Sequence, residues 1–275
     1  MMNKGNLGKN LRELRIPSSI TSIGAQAFFY CPNLQSVYFE ESDLPLTLKE
    51  LQFAATAFNR VYLGRNIITD DIITNSFFTQ YGSIVTIGPK VTNLSSALFR
   101  TELYDAFTFE YSPEPLHVDG VFPGGATNLI IDREIVVDVT SDMHPIMIPF
   151  SLRGRTRSVL LGENITKISD AEFEGFTNIT HIVIPANIAE IGQSAFKDCK
   201  ALQVASILGE PDIKESAFNG CENLKYLYFM GNSVQLAKNV FMGCPITEVT
   251  INFDTDPGAG STEEAFRPIT YNDAK

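Results

Sequence analysis

Residues 16–31 read IPSSITSIGAQAFFYC, and residues 184–199 read IPANIAEIGQSAFKDC. The two stretches keep Ile, Pro, Ile, Ile, Gly, Ala, Phe and Cys at matching places, although 168 residues separate them. If the phrase is a structural unit, weaker copies should lie between the two at a regular spacing. The separation equals seven steps of 24 residues, which predicts a repeat architecture with units of about that length.

The Ala-Phe pair marks the individual copies. The marker phenylalanines, including degenerate copies, are Phe28, Phe58, Phe78, Phe99, Phe122, Phe150, Phe173, Phe196, Phe218, Phe241 and Phe266. An aromatic residue at one fixed position of every unit is typical of packing rather than of a ligand cage. We therefore expect each ring to point inward and to stack on the ring of the next repeat.

Each regular copy also contains a short strand. The strand frame reads LQSVYF (34–39), ITHIVI (179–184), LQVASI (202–207), LKYLYF (224–229) and ITEVTI (246–251). Its apolar residues alternate, which is typical of a strand with one buried face. A polar turn follows, and we expect the Ala-Phe pair beyond it to form a short helix or a 3₁₀ segment. One such coil cannot bury its apolar side chains alone, so neighbouring coils must stack.

The full phrase Ile-Pro-x-x-Ile-x-x-Ile-Gly-x-x-Ala-Phe-x-x-Cys-x-x-Leu resembles the consensus of the BspA-like, or Treponema-type, leucine-rich repeat family. The resemblance is close over residues 11–39 and 159–251, weaker over 61–99, and limited to the spacing over 100–158. It implies an α/β fold, a right-handed leucine-rich-repeat solenoid of about eleven coils. A parallel β-sheet is expected on one face, with short helical or 3₁₀ turns or short strands on the other. It also implies adhesion and protein binding by a secreted or surface-exposed bacterial or protist protein.

The repeat runs from end to end, which predicts a single solenoid domain over residues 1–275. The spacing is least regular over residues 100–158, and we expect these central coils to bulge from the regular stack. Insertions in repeat proteins often carry binding specificity.

Composition excludes several classes of function. The formal net charge of −11 argues against binding to nucleic acid and against charge-driven binding to anionic membranes. No apolar run approaches the roughly 20 residues that a bilayer crossing needs, so we expect no membrane insertion. The opening MMNKGNLGKN lacks the apolar segment of a secretory signal, which leaves an intracellular protein or a piece of a longer precursor.

The four cysteines occupy one equivalent position, three residues after a marker phenylalanine: Cys31, Cys199, Cys221 and Cys244. Other copies place Val61, Tyr81, Gly125 and Phe176 there. The position therefore does not require thiol chemistry, and the absence of a CxxC pair argues against zinc binding. We expect buried, unpaired thiols.

The outward positions of the predicted sheet are the candidates for function. The candidate binding residues on this face are Tyr38, Tyr62, His181, Val183, Tyr226 and Tyr228, with Glu13, Arg15, Glu248 and Thr250 beside them. Tyrosines on a rigid sheet offer contact area at low entropic cost, which suits recognition of a protein or a glycan. Aromatic residues are also good strand formers, so a purely structural role stays open.

The chain shows no catalytic constellation. His117, His144 and His181 fall in different coils, and no nucleophile elbow accompanies them. We expect no enzyme activity, no cofactor and no metal. The sequence favours a non-catalytic adhesion module of a bacterial cell-surface or secreted protein, which binds an extracellular-matrix or cell-surface protein of a host or neighbouring cell. A glycan-binding accessory domain and an intracellular scaffold are the alternatives.

Overall fold

The computed structural model describes residues 7–49, 53, 56, 59–69, 83–99, 103–120, 125–137 and 153–251. The chain divides into two compact units, Met1–Asn164 and Ile165–Lys275, which we call unit 1 and unit 2. The single domain predicted from the sequence stays a prediction.

Unit 1 is built mainly of short strands. In chain order, its elements are α1 (Leu7–Asn10), β1 (Glu13–Ile16), β2 (Ser22–Ile23), β3 (Ser36–Phe39), β4 (Leu46–Leu48), β5 (Arg60–Leu63), β6 (Ile67–Thr69), β7 (Ile84–Ile87), β8 (Asn93–Leu94), a 3₁₀ turn (Ser96–Leu98), β9 (Leu103–Phe109), β10 (Leu116–Val118), β11 (Gly125–Ile131), β12 (Ile135–Val137), a 3₁₀ turn (Arg153–Arg155) and β13 (Ser158–Leu161).

Unit 2 repeats the same alternation of a longer and a shorter strand. Its elements are β14 (Lys167–Ile168), β15 (His181–Ile184), β16 (Glu190–Ile191), β17 (Val204–Ile207), β18 (Asp212–Ile213), β19 (Tyr226–Phe229), β20 (Gln235–Leu236) and β21 (Glu248–Ile251).

The strand pairs in the described part of the chain are parallel, and within each sheet a strand pairs with the equivalent strand of the next coil. The longer strands form a seven-stranded sheet in unit 1, in the order β1-β3-β5-β7-β9-β11-β13, and a four-stranded sheet in unit 2, β15-β17-β19-β21. The shorter strands form separate ladders, β2-β4-β6, β8-β10-β12 and β14-β16-β18-β20. This parallel-strand solenoid with little helix confirms the predicted fold class.

Alternation along each strand separates the core from the surface. In β3 the side chains of Val37 and Phe39 are buried, whereas Ser36 and Tyr38 reach the surface. The pairing register places equivalent residues side by side, so inward rows and outward rows of side chains run across the strands of each sheet. The outward rows form the two faces described below.

The marker rings of unit 2 form an unbroken stack. Phe173, Phe196, Phe218 and Phe241 follow one another at centroid distances of 5.1, 5.0 and 5.4 Å, with planes within 23° of parallel. The predicted stacking is confirmed for these four rings. Phe58, Phe78, Phe122, Phe150 and Phe266 lie outside the residues that the structure describes.

In unit 1 the ring that stacks on Phe28 belongs to Phe53, at 5.4 Å and 11°, which the sequence analysis did not assign to the ladder. Phe99 packs edge-on against Tyr104 and Phe107, at centroid distances of 6.2 and 5.4 Å.

The chain around the markers of unit 2 forms overlapping β-turns, where the sequence favoured a short helix or a 3₁₀ segment. Residues two places before and after each marker have positive φ between 54° and 80°, for example Ala171 and Gly175 around Phe173. Alternate amides stay within the coil, such as the N–H of Phe176, which donates to the Phe173 carbonyl at 3.2 Å. The amides between them, including that of Phe173, donate to the next coil, at 2.7 Å in the bond to Ala195.

The cysteine position has a structural function. Cys199, Cys221 and Cys244 are buried, and each thiol donates to the carbonyl of the marker phenylalanine one coil earlier, at 3.1–3.2 Å. The hydroxyl of Thr56 makes the same bond to the Phe28 carbonyl at 2.9 Å. Thr56, three residues after Phe53, is therefore the equivalent residue of that coil.

Two of the predicted equivalents of the cysteines are wrong. Val61 lies within β5 and Gly125 begins β11, so both belong to strands of the seven-stranded sheet. For Val61 the error follows from placing the second marker at Phe58, five residues beyond the ring that stacks on Phe28.

Two fully buried arginines connect coils of unit 1. The Arg65 guanidinium donates to the carbonyls of Ile16, Pro17, Ser18 and Ile20, at 3.1, 2.5, 3.1 and 2.7 Å. These carbonyls lie two coils back along the chain. Arg133 repeats the arrangement, because it donates to the carbonyls of Gly88 and Glu114 at 3.3 and 2.7 Å. Burial lowers the pKa of Arg133 to about 10.

The described parts of residues 100–158 do not bulge from the stack, which corrects the sequence expectation. β9 and β11 are seven-residue strands that pair in register with each other and with β7 and β13. Phe107, Phe109, Leu129 and Ile131 are buried at the inward positions of this register. The strand frame therefore persists where the marker motif has degenerated.

Candidate binding faces of the two sheets

The outward face of the seven-stranded sheet, which we call face 1, carries two rows of side chains. One row, in strand order, is Arg15, Tyr38, Tyr62, Thr86, Thr108, Ile130 and Leu160; the other is Glu13, Ser36, Arg60, Ile84, Ala106, Asn128 and Ser158. Both rows are exposed or half-buried. The face changes from aromatic and charged at β1–β5 to small and aliphatic at β7–β13.

Tyr38 and Tyr62 contact each other on face 1. Their rings are stacked at a centroid distance of 4.3 Å and an interplanar angle of 7°. The Arg15 guanidinium lies over the Tyr38 ring, 4.8 Å from its centroid, and its Nε donates to Glu13 at 2.8 Å. The in-register pairing of β1, β3 and β5 produces this stack, because it brings the third residue of each strand into one row.

The Tyr62 hydroxyl lies between two carboxylates. Its oxygen is 2.9 Å from Oε1 of Glu41 and 3.2 Å from Oε2 of Glu110, which follow β3 and β9 respectively. Burial, followed by the hydrogen bond to Glu41, raises the pKa of Tyr62, so the phenol stays protonated. Burial also raises the pKa of Glu110, although the hydrogen bond from Tyr62 opposes this effect.

Gly88 makes room for this arrangement. A Cβ atom at residue 88 would lie 2.5 Å from the Tyr62 hydroxyl oxygen, so any larger residue would displace the phenol. The surface beside the tyrosines is a shallow depression of about 280 Å³, lined by residues that include Arg15, Tyr38, Arg60 and Thr86.

The outward face of the four-stranded sheet, which we call face 2, has a different character. Its rows are His181, Val204, Tyr226 and Glu248, and Val183, Ser206, Tyr228 and Thr250. Val183 is 52% exposed and Tyr226 is 37% exposed, whereas Tyr228 is half-buried. The exposed His181 ring is 3.0 Å from the Thr180 hydroxyl through Nδ1.

Apolar side chains extend face 2 beyond the ends of its strands. Leu208 and Met230 directly follow β17 and β19, and both are exposed, at 41% and 42%. Pro185 holds the same place after β15. Face 2 is therefore bordered on this side by an apolar row, and a large exposed apolar area on a rigid sheet is typical of an interaction surface.

The structure places all six predicted binding residues on outward faces. It brings Tyr38 and Tyr62 together on face 1, and it places His181, Val183, Tyr226 and Tyr228 together on face 2. Sequence reasoning missed Glu41, Glu110, Leu208 and Met230, which lie just after strands. Their position after an apolar strand end was a signal, but it did not show which side chains they would contact.

A metal site is not apparent in the part of the chain that the structure describes, where His, Cys, Asp and Glu form no group of three or more suited to an ion. None of the helices there has the length and apolar character that crossing a bilayer requires.

Stacked parallel strands with repeated inward rows define a leucine-rich repeat solenoid, a fold typical of non-catalytic binding scaffolds. A family model described as BspA type leucine rich repeat region matches residues 6–114 and 150–256, in six copies. The chain belongs to this family.

Two solved structures match the chain. A leucine-rich repeat protein from Bacteroides ovatus matches with 18% identity and a TM-score of 0.38, over 85% of this chain and 76% of that one. One from Eubacterium ventriosum matches with 18% identity and a TM-score of 0.33, over 88% and 73%. The comparison with curated proteins gives no match.

Proposed function

We propose that the protein is a non-catalytic binding module that uses its outward sheet faces to hold another protein. The observation that carries the proposal is the exposed apolar and aromatic surface of face 2, where Val183, Tyr226, Leu208 and Met230 each expose more than a third of their area. Parallel pairing holds the backbone beneath these side chains, so little conformational entropy is lost on binding. Aromatic and Met side chains are enriched in protein interfaces.

The partner in this proposal is an extracellular-matrix or cell-surface protein, and the module acts in adhesion at a bacterial cell surface or after secretion. Membership of the BspA-type family supports this location, because such repeats are typically found in surface or secreted bacterial proteins. The intracellular scaffold is the alternative location for the same binding activity.

Glycan binding is less well supported on face 1. A sugar binds a tyrosine through the flat side of its ring, and here Tyr38 is covered by Arg15 on one side and stacked on Tyr62 on the other. On face 2, the exposed aliphatic residues Val183, Leu208 and Met230 suit an apolar protein surface better than a polar glycan.

A binding survey with matched variants tests the proposal. The purified chain is tested by surface plasmon resonance against extracellular-matrix proteins, surface proteins of host and neighbouring cells, and a glycan array. For any protein that binds, the double variant Val183→Asp with Tyr226→Ala should weaken binding by about tenfold or more. Met242→Ala, at a 50% exposed turn residue of unit 2, serves as the control and should leave binding unchanged.

Two results would contradict the proposal. One is a survey in which glycans bind and proteins do not. The other is protein binding that the face 2 variant and the Met242 control affect equally, because the sheet face would then have no special part in recognition.

A further inference from the structure

The charged residues of unit 1 are sorted by sign across the seven-stranded sheet. At the edge where the strands begin, the exposed basic residues are Lys9, Arg12, Arg60, Arg155 and Arg157, against the acidic residues Glu13 and Asp105. Within four residues after the strands end lie Glu40, Glu41, Asp43, Glu110, Asp132, Glu134 and Glu163. We call these the basic edge and the acidic edge.

Cations of the chain itself neutralise little of the acidic edge. Lys90 is the exposed basic residue in the described part of this edge, and its ammonium is 3.0 Å from the carboxylate of Asp43. Arg65 and Arg133 lie at the same edge, but both are buried and donate to backbone carbonyls. Several carboxylates, Glu41 and Glu110 among them, are thus left for a charge from outside.

Glu41 and Glu110 share the Tyr62 phenol as a hydrogen-bond donor. The Tyr62 phenol carries one hydrogen, yet it lies within hydrogen-bond distance of both carboxylates, at 2.9 and 3.2 Å. When both carboxylates are ionised, the phenol can donate to only one of them at a time. A positive group placed near Tyr62 would satisfy the second carboxylate and reduce the repulsion between the two.

The tyrosine stack already shows how a cation binds here. Arg15 covers the Tyr38 end of the stack at 4.8 Å. At the other end, the residue in register with Tyr62 is Thr86, and Thr108 follows on the next strand. Both side chains are short, and on the same side the hydroxyl end of Tyr62 lies against Gly88, where a Cβ atom would be 2.5 Å from the phenol oxygen.

On the basis of the proposed function, we propose that face 1 binds an arginine or lysine side chain of the protein partner, which lies beside the Tyr62 hydroxyl and pairs with Glu41 and Glu110. The opposite basic edge favours a polypeptide over a free polyamine. An extended polypeptide can also supply an acidic group to Arg12 or Arg60 at the other end of the strands, because four of its residues span about 13 Å. A polyamine carries no such group.

Synthetic peptides with the full chain test this inference. The probe is an extended, capped peptide with three arginines, each placed four residues from an aspartate, and its matched control replaces every arginine by neutral citrulline. Titration calorimetry at low salt should show the arginine peptide binding about fivefold or more tightly than the citrulline peptide. Affinity should fall as salt is raised, because the charges involved are exposed.

Charge-matched variants locate the site. The double variant Glu41→Gln with Glu110→Gln should reduce the preference for arginine to within about twofold. The double variant Glu134→Gln with Glu163→Gln removes the same charge from the same edge, away from Tyr62, and should keep the preference. Circular dichroism of both variants checks that the fold is intact.

Three outcomes would overturn the inference. The first is equal binding of the arginine and citrulline peptides, and the second is an equal loss of the arginine preference in both double variants. The third is spermidine binding as tightly as the arginine peptide, with the same dependence on Glu41 and Glu110. The last would assign the site to a free polyamine. The proposed function is judged separately, because it rests on whole proteins and on the face 2 variant. Failure of the peptide test leaves it standing if that variant still loses binding.

Discussion

Units 1 and 2 use the same coil but hold their coils together differently. In unit 2, one contact set recurs in the coils of Phe196, Phe218 and Phe241: a stacked phenylalanine, a ladder of turn amides, and a thiol that donates to the preceding coil. In unit 1, single long side chains such as Arg65 connect coils that are two apart. A solenoid can thus be stabilised by repetition or by individual connections, and only the first leaves a periodic pattern in the sequence.

The two sheet faces also differ, in the charge and polarity of their exposed side chains. Face 1 is charged and locally specific, with a stack that involves three strands and carboxylates at one edge. Face 2 is apolar along the ends of β17 and β19. The difference predicts that binding through face 1 depends on salt, whereas binding through face 2 does not.

The largest stability effect is expected for Phe196→Ala in unit 2. The Phe196 ring is fully buried and stacks on two others, at 5.1 and 5.0 Å, so its removal leaves a cavity and ends both contacts. We expect a loss of about 3–5 kcal/mol in the free energy of unfolding, measured by urea denaturation.

Hydrogen exchange of the Phe196→Ala variant should place the loss in unit 2. Phe29→Ala, at a 51% exposed residue, is the control and should change stability by less than about 0.5 kcal/mol. A similar loss of protection in unit 1 would show that stability does not depend on the local stack.

Arg65→Met is the corresponding test of unit 1. The Ile16 and Pro17 carbonyls also accept backbone N–H groups, from Glu40 and Ile20, so the penalty falls mainly on the carbonyls of Ser18 and Ile20. Relief of the buried charge offsets part of the loss. We expect a destabilisation of about 2–3 kcal/mol, with faster amide exchange over residues 16–23.

Arg60→Met provides the control for Arg65→Met, because it removes the same charge from an exposed position of face 1. It should change the free energy of unfolding by less than about 0.5 kcal/mol. If Arg65→Met proves neutral or stabilising, the buried arginine does not hold the coils together.

A smaller effect is expected at the cysteine position. Cys221→Ser keeps a donor for the Phe196 carbonyl, as the Thr56 hydroxyl does for Phe28, and should cost about 1 kcal/mol. Cys221→Val removes the donor and adds volume to a tightly packed site, and should cost about 2 kcal/mol. Equal urea midpoints for the two variants would show that the hydrogen bond contributes little.

The repeated features were predictable because each follows from a single coil. The inward positions of the strands and the stack from Phe173 to Phe241 needed only the period and the alternation of apolar residues. The outward placement of Tyr38 and Tyr226 followed from the same alternation. These features depend only on contacts within a coil or between neighbouring coils.

The features that sequence reasoning missed depend on contacts that a repeat frame does not encode. Phe53 was missed because the Ala-Phe pair at residues 57–58 fitted the motif better than the residue that supplies the ring. The contact of Tyr62 with Glu110 joins residues 48 positions apart, and its geometry depends on the absence of a side chain at Gly88. Arginine is usually exposed, so the sequence alone gives no sign that Arg65 is buried in its turn.

The smallest effect concerns pH and unit 2. Glu172 is half-buried in its turn, and burial raises the pKa of its carboxyl to about 7, although its Oε2 accepts the Ser169 N–H at 2.6 Å. The folded state therefore holds this proton more tightly than the unfolded chain. The stability that this provides is fully present below about pH 4.5 and is lost as the pH rises through 7.

Glu172→Gln carries no titrating group at this position and should remove this part of the pH dependence. The unfolding free energy of the variant, relative to the unsubstituted chain, should therefore rise between pH 5 and pH 8. Glu222→Gln, on an exposed side chain of unit 2 that pairs with Lys200, is the control. A constant difference between Glu172→Gln and the unsubstituted chain across this range would mean that the carboxylate is ionised in the folded turn at pH 5. The bond from Ser169 would then outweigh burial, and the turn ladder of unit 2 would tolerate a buried negative charge.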